Sequence, residues 1–410
     1  MSNIDEILSF CVNLSRQMVL SGANLERVNA AVAFICKAYQ LEDVSIFILS
    51  SHMSIAAKDK AGNYSSRQIS IPPSGIHLER LKSLNRLSYK VTEIKPNPKF
   101  LDKMLERAVN VQEYPDIVVL LGRILAMSCL CFMFGGTFSE LIPVAVVTAL
   151  IHFITPILET TGLDRIVMNA FIMFLAGSCA ILFTASNMSN NFPVILITVS
   201  MLVIPGIPLV NSMRNLLCGH EINGILQMLK IFIETMALGM GVYLALVIFS
   251  GFIKINATSQ PLTHPYFLIA LSFIASVGFG VVFRIKPQDL IFAGLGGALA
   301  RIALLTLTPV ISSRLLYMTL SASVAALYAE FFAVTRRQPS TYFIYPSIIP
   351  LIPGDLFFYA LVGLYLGDYS GFETHGINCV LSLLGLSIGF VLSSTFAHHV
   401  RKVKFRRFNQ

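Results

Sequence analysis

The sequence predicts an all-α membrane bundle of about ten transmembrane helices in two inverted five-helix repeats, preceded by a small cytoplasmic α/β domain. Three observations carry that expectation. Of 410 residues, 55% are hydrophobic and only 13% charged, with a mean hydropathy of +0.72, whereas a soluble domain carries roughly 25% charge. Apolar runs of about twenty residues, long enough to cross a bilayer, recur from residue 117 onward. Two of these runs each hold a pair of prolines three residues apart, in "VIPGIPLV" (203–210) and "IIPLIPGD" (348–355).

The first 115 residues differ from the rest. They hold 14 of the 30 Lys and Arg and 11 of the 22 Asp and Glu, and no long apolar run. The start "MSNIDEILSF" has neither a basic n-region nor a small-residue cleavage site, so no signal peptide is expected and this domain is assigned to the cytoplasm. Residues 5–21 and 24–40 read as amphipathic helices, with Gly22 closing the first and Asn24 capping the second. Residues 44–51, 52–60 and 67–71 read as extended, with a turn at "KAGNYSS" and Pro72-Pro73 ending the last strand. Residues 77–90 and 98–112 read as two further helices. The seven cysteines are scattered without a CxxC pair and read as small hydrophobes.

The expected spans fall near 117–134, 140–158, 166–183, 193–210, 225–252, 266–284, 289–308, 312–334, 341–364 and 377–398. Loop charge tests their number. With the N-terminus inside, the inner loops carry Arg165, Arg214, Arg284, Lys286, Arg336 and Arg337, and the basic tail adds Arg401, Lys402, Lys404, Arg406 and Arg407. The outer loops carry Lys254 and Arg314 beside acidic Glu140, Asp368 and Glu373. That asymmetry is what the positive-inside rule requires, and an even count keeps the basic tail inside. The net charge of +8 therefore reads as topology, not as nucleic-acid binding. The resulting division is 1–115, 116–255 and 256–410, a soluble domain and two membrane repeats. The sequon at Asn187 and the one at Asn256 carry no weight without a compartment.

The proline pairs sit in the fourth and ninth spans, each fourth in a set of five, and pairing Pro205 with Pro350 gives an offset of 350 − 205 = 145 residues. Each is followed by a glycine-bearing loop, "LLCGHEING" (216–224) and "LYLGDYSG" (364–371). Five is odd, so a duplicated unit enters the membrane upside down. Proline removes an N–H and clashes with the preceding turn, and freed backbone groups cost several kcal/mol in hydrocarbon. Broken helices at matching positions therefore point to a buried substrate site. The plainer alternative is that the prolines only kink the helices for packing. Pro205, Gly206, Pro208, Pro350, Pro353 and Gly354 would shape the breaks. Arg123, Arg214 and Arg301 are candidate counter-ions for an anionic substrate, and Asn211 would orient a carboxylate. Glu234 and Glu330 are candidate proton carriers, and Asp355 a proton carrier or a ligand for an amine or cation. His152 reads as a core histidine. "GLGGALAR" (294–301) reads as close helix packing, not as a phosphate loop.

These residues resemble the threonine/serine exporter family over nearly the whole chain. "SGANLERVNAAVAFICKAYQL" is similar to that family's cytoplasmic domain and "VIPGIPLVNSMRNLLCGHEINGIL" to its first proline signature. "FGVVFRIKPQDLIFAGLGGALARIAL" and "SIIPLIPGDLFFYALVGLYLGD" are similar to its second half. In some members the halves are separate subunits, and one such pair is associated with succinate export; "GHEING" and "SIIPLIPG" resemble that paired type. The threonine type tends to be acidic where this chain has Asn215 and His220. The resemblance implies ion-gradient-driven efflux from the inner membrane, both termini cytoplasmic, of a small carboxylate: threonine or serine, or a C4-dicarboxylate such as succinate. The proton is the expected coupling ion and the bilayer the expected surroundings. No catalytic residue, metal, cofactor or nucleic-acid partner is expected, and assembly of identical copies stays open. Two other classes remain: a membrane-anchored sensor or enzyme working through residues 1–115, and a passive channel.

Overall fold

A computed structural model describes residues 3–49, 52–72, 75–252, 264–336 and 338–408. The expectations for residues 50, 51, Pro73, Lys254, the Asn256 sequon and Arg337 lie outside the described residues, as do the side chains of the basic tail. The chain begins with α1 (Asn3–Leu20) and α2 (Leu25–Ala38). Gly22, at φ +92°, makes the turn between them, a conformation that favours glycine. Asn24 caps α2, its side chain accepting from Arg27 N at 3.1 Å. The strands β1 (Glu42–Leu49), β2 (His52–Lys58) and β3 (Tyr64–Ser70) form one antiparallel meander in the order β1-β2-β3. Met53, Ile55 and Ala57 of β2 alternate inward and pack, with Leu8, Leu14 and Met18 of α1, into the core. The helices α3 (Leu78–Ile94) and α4 (Leu101–Val109) complete this region.

The remaining elements are α5 (Asp116–Met133), α6 (Phe138–Thr160), α7 (Arg165–Ala185), α8 (Phe192–Ser200), α9 (Gly206–Leu217), α10 (Glu221–Ile248), α11 (Pro265–Val282), α12 (Pro287–Leu307), α13 (Arg314–Arg336), α14 (Thr341–Ile348), α15 (Gly354–Leu366) and α16 (Tyr369–Phe408). Among the described residues eight helices are long and apolar enough to cross a membrane: α5, α6, α7, α10, α11, α12, α13 and the Tyr369–Ala397 part of α16. A ninth crossing follows if α14 with its 3₁₀ extension and α15, bent by 52°, count as one span. The fourth expected span, 193–210, corresponds to α8 and the start of α9, which at 9 and 12 residues are each too short for a continuous crossing. Large apolar side chains point outward at helical spacing, as Ile117, Leu121 and Leu125 on α5 and Ile142, Val146, Phe153 and Ile157 on α6 do, the pattern of a lipid-facing surface.

Inside the bundle, small residues bring helices together, because lipid supplies no hydrophobic force between them. A Cβ on Gly278 of α11 would lie 2.8 Å from the Gly122 carbonyl of α5, and one on Gly385 of α16 would lie 2.8 Å from the Leu315 carbonyl of α13. The pairings recur element for element. In the first half α7 packs on α10, α9 on α10, α6 on α8 and α5 on α8; in the second, α13 packs on α16, α15 on α16, α12 on α14 and α11 on α14. The halves join through α5 on α11 and through the reciprocal pairs α9–α16 and α10–α15.

The two breaks share one backbone geometry, and it corrects the register expected from the prolines. Pro205 (φ −78°, ψ 67°) and Pro353 (φ −80°, ψ 53°) each centre an inverse γ-turn. In both, the glycine N–H after the proline donates to the carbonyl of the isoleucine before it, Gly206 N to Ile204 O at 2.8 Å and Gly354 N to Ile352 O at 2.9 Å. A helix starts at that glycine in each case. The shared unit is Ile-Pro-Gly, so Pro205 corresponds to Pro353, not Pro350, and the offset is 353 − 205 = 148 residues. The glycine turns after α9 and α15 obey the same offset, Gly219 at φ +83° and Gly367 at φ +75°. Pro208 instead falls in the first turn of α9, and Pro350 in the 3₁₀ turn before the second break.

The N-terminal region docks on one end of the bundle. Leu78 N donates to Phe283 O at 2.9 Å, Tyr114 Oη to Ile285 O at 2.6 Å, and Arg284 Nη1 to Tyr114 O at 3.0 Å. Beside them Asp289, 3% exposed, gathers Lys82, Arg336, Gln338 and Tyr342, while Glu79 pairs with Lys82 and Lys286. A buried carboxylate needs such partners to remain charged.

Candidate functional site

The two breaks meet. A Cβ on Gly206 would lie 3.0 Å from Ile352 Cγ2, and one on Gly354 would run into the Met201 sulfur. Each glycine therefore seats the chain of the opposite break. Around this crossing lies a cavity of about 920 Å³, reached by residues of α5, α6, α7, α9, α10, α11, α12, α13 and α16 and by residues on both sides of the two breaks.

Most of the residues expected from the sequence line it: Pro205, Gly206, Pro208, Asn211, Pro350, Pro353, Gly354, Asp355, Arg123, Arg301 and Glu234. Two do not. Arg214 is not among the lining residues; its Nη2 lies 3.0 Å from Glu26 Oε2 on α2, with little of its side chain exposed, so it ties α9 to the N-terminal region. Glu330 is half-buried on α13 and is not among the lining residues. His152 is buried with Nε2 3.0 Å from Asp116 Oδ2, in keeping with its reading as a core histidine.

The charged groups are arranged unevenly. Arg301 donates from Nε to Ser272 Oγ at 3.1 Å and places Nη2 3.9 Å from Met133 Sδ. Among the described residues no ion pair involves Arg301, Arg123, Arg314, Glu234 or Asp355. A guanidinium with spare donors facing a cavity is a receptor for a carboxylate. Asp355 is the second residue of α15, so its own carboxylate occupies the positive end of that helix. Pro208 removes one of the free donors from the start of α9. The helix ends at the breaks are thus poorly placed to hold an anion, and Arg123, Arg301 and Arg314 are the guanidinium groups that line the cavity without an ion pair among the described residues.

Sequence reasoning missed several lining residues. Arg314, expected in an outer loop, is the first residue of α13, where its Nη1 donates to Ser382 Oγ at 3.3 Å and its guanidinium lies 5.9 Å from the Tyr317 ring centroid. Tyr345 on α14 accepts from Asn211 Nδ2 at 3.0 Å. Asn223, Gln227 and Lys230 were also missed, and they precede the expected Glu234 along α10 on the cavity side. Their spacing of four, three and four residues is one helical face, and that period was the available signal.

Residues 9–249 match a family described as a threonine/serine exporter, and residues 268–396 match a second family of the same description. No curated protein and no solved structure matches the chain. The first match alone covers more than half of the sequence, and the second continues it through the other half. The chain, a multi-pass helical protein with two broken helices crossing at one cavity, belongs to the threonine/serine exporter family in its fused form.

Proposed function

We propose that the chain exports serine or threonine across the inner membrane by alternating access, driven by protons, with both termini cytoplasmic. The observation that carries this is the crossing of two identical Ile-Pro-Gly breaks over a cavity that holds Arg301 without a carboxylate partner. Arg301 receives the substrate carboxylate, and Asp355 receives its ammonium. Glu234, 8% exposed and without an ion pair among the described residues, carries the coupling proton. Pro205, Gly206, Pro353 and Gly354 form the hinges.

Two inverted copies of a five-helix unit, 116–255 and 256–410, supply the moving parts. The recurring helix pairings and the reciprocal α9–α16 and α10–α15 contacts support that symmetry. Residues 1–115 form the cytoplasmic domain; Arg214, Lys286 and Arg336 lie at the end where it docks, in keeping with the positive-inside rule.

A second reading, a C4-dicarboxylate such as succinate, is favoured by one observation: Arg314 lines the same cavity as Arg301, and two guanidinium groups suit two carboxylates. Counterflow in proteoliposomes with labelled serine, threonine and succinate in parallel decides between them. Uptake of serine or threonine against unlabelled internal substrate is the expected result. Uptake of succinate alone transfers the site to the second reading. Flux without counterflow identifies a channel, and no flux under any gradient leaves the chain a membrane-anchored sensor or enzyme.

A further inference from the structure

The cavity does not end within the bundle. On the side where the N-terminal region docks, its wall is made by that region: Gly22, Asn24, Ile48 and Ile71 line it together with Asn211 and Gln227. The turn after α1, the end of β1 and the end of β3 thus cover one end of a space whose other walls are membrane helices.

One hydroxyl connects the parts. Tyr345, 3% exposed, sits on α14, the first half of the second broken element. Its Oη donates to the Gly22 carbonyl at 2.9 Å and accepts from Asn211 Nδ2 at 3.0 Å. Gly22 belongs to the N-terminal region, and Asn211 to α9 beyond the first break. Three residues earlier on α14, Tyr342 Oη donates to Glu79 Oε2 of α3 at 3.1 Å. Two further contacts flank the latch: Arg214 pairs with Glu26 at 3.0 Å, and Asn223 Nδ2 donates to the Ile48 carbonyl. Each links the N-terminal region to a helix that lines the cavity or adjoins a break.

We infer that the N-terminal region is a lid on the cavity, latched by the Tyr345 hydroxyl to both broken elements at once. Substrate entering from that side requires the Gly22–Tyr345, Glu26–Arg214 and Ile48–Asn223 contacts to separate. Lifting the lid breaks the hydrogen bond from Tyr345 to Gly22 and leaves Tyr345 held only by Asn211 of α9. Rocking of α14 pulls on Gly22 in turn. The latch couples the lid to the breaks by contact. This inference rests on the transport reading only for its flux readout.

Two measurements test it in the full-length protein. In a Cys218→Ser background, Gln227→Cys reports access to the covered end through its labelling rate by a water-soluble maleimide. Tyr345→Phe keeps the ring and removes both hydrogen bonds, so labelling should rise roughly tenfold. An unchanged rate overturns the latch. In the second, Ile48→Cys with Asn223→Cys places a disulfide across the lid contact. Oxidation should stop counterflow and reductant should restore it. Failure of the pair to cross-link, or undiminished flux through the cross-linked protein, overturns the lid. If the unmodified protein shows no counterflow with serine, threonine or succinate, the transport reading fails, while the labelling arm still decides the lid.

Discussion

At the scale of single residues, charge in an apolar setting carries the argument. Arg301 is half-buried, held by Ser272 Oγ and free of any carboxylate partner among the described residues. A charge left this way in a membrane bundle is costly unless a ligand or water answers it. Arg301→Ala should therefore lower counterflow at least about tenfold, the value of a hydrogen bond to a charged group, with the protein still present in the membrane. Arg301→Lys should recover part of the activity, since a point charge replaces a fork. Equal rates in all three proteins would remove Arg301 from the site. Arg214 shows why residue type and position were insufficient on their own. It follows the first break by a few helical turns at most, as a substrate ligand should, yet Glu26, 188 residues away in sequence, claims it. Glu234→Gln should keep exchange of substrate for substrate and lose accumulation driven by a pH gradient; retention of the driven component would exclude Glu234 as the proton carrier.

At the scale of elements, the breaks are the decisive feature. Proline pairs in two apolar runs were legible, and so was the recurrence of glycine loops behind them. The true correspondence was not, because spacing alone aligns PxxP with PxxP. The backbone aligns Ile-Pro-Gly with Ile-Pro-Gly, since one proline centres each γ-turn and the glycine after it lies against the opposite break. The crossing of the breaks makes a prediction about packing. A valine at Gly206 would press its branched side chain against Ile352, whose Cγ2 lies only 3.0 Å from the place a Cβ would take. Gly206→Val should cost about 1–3 kcal/mol of stability and most of the transport. Combining it with Ile352→Ala should restore a measurable part of both in melting and counterflow assays. Strict additivity of the two defects would show that the breaks do not touch in the membrane.

At the scale of the whole molecule, the docking of the N-terminal region onto the bundle depends on buried polar groups. His77 caps α3, its Nδ1 accepting from Arg80 N at 3.2 Å, and its Nε2 lies 3.3 Å from Glu113 Oε1. Burial, and then the Arg80 charge, hold its pKa below the ordinary value. Protonation would place a hydrogen on Nδ1 and abolish the cap. Because the folded pKa is depressed, the unfolded chain binds the proton more readily. Stability from this site is present above the ordinary histidine pKa of about 6.5 and is lost as pH falls below it. Melting of the purified protein should drop between about pH 7.5 and about pH 5.5, and His77→Asn, which keeps a cap acceptor without a titrating ring, should flatten that drop. An identical drop in the variant would assign the pH dependence to other groups.

Periodicity and composition determined by themselves that the chain is a multi-pass helical protein with a mixed α/β region in front, because local apolar runs and turn residues need no partner to be recognised. They also located both breaks, since proline acts on its own turn. Only the tertiary structure decided that the breaks touch, that Arg314 and Tyr345 belong to the cavity and Arg214 and Glu330 do not, and that Gly22, Asn24, Ile48 and Ile71 close one end of it. Those facts depend on which distant segments pack together, and side-chain partners such as Glu26 for Arg214 or Gly22 for Tyr345 leave no trace in sequence spacing.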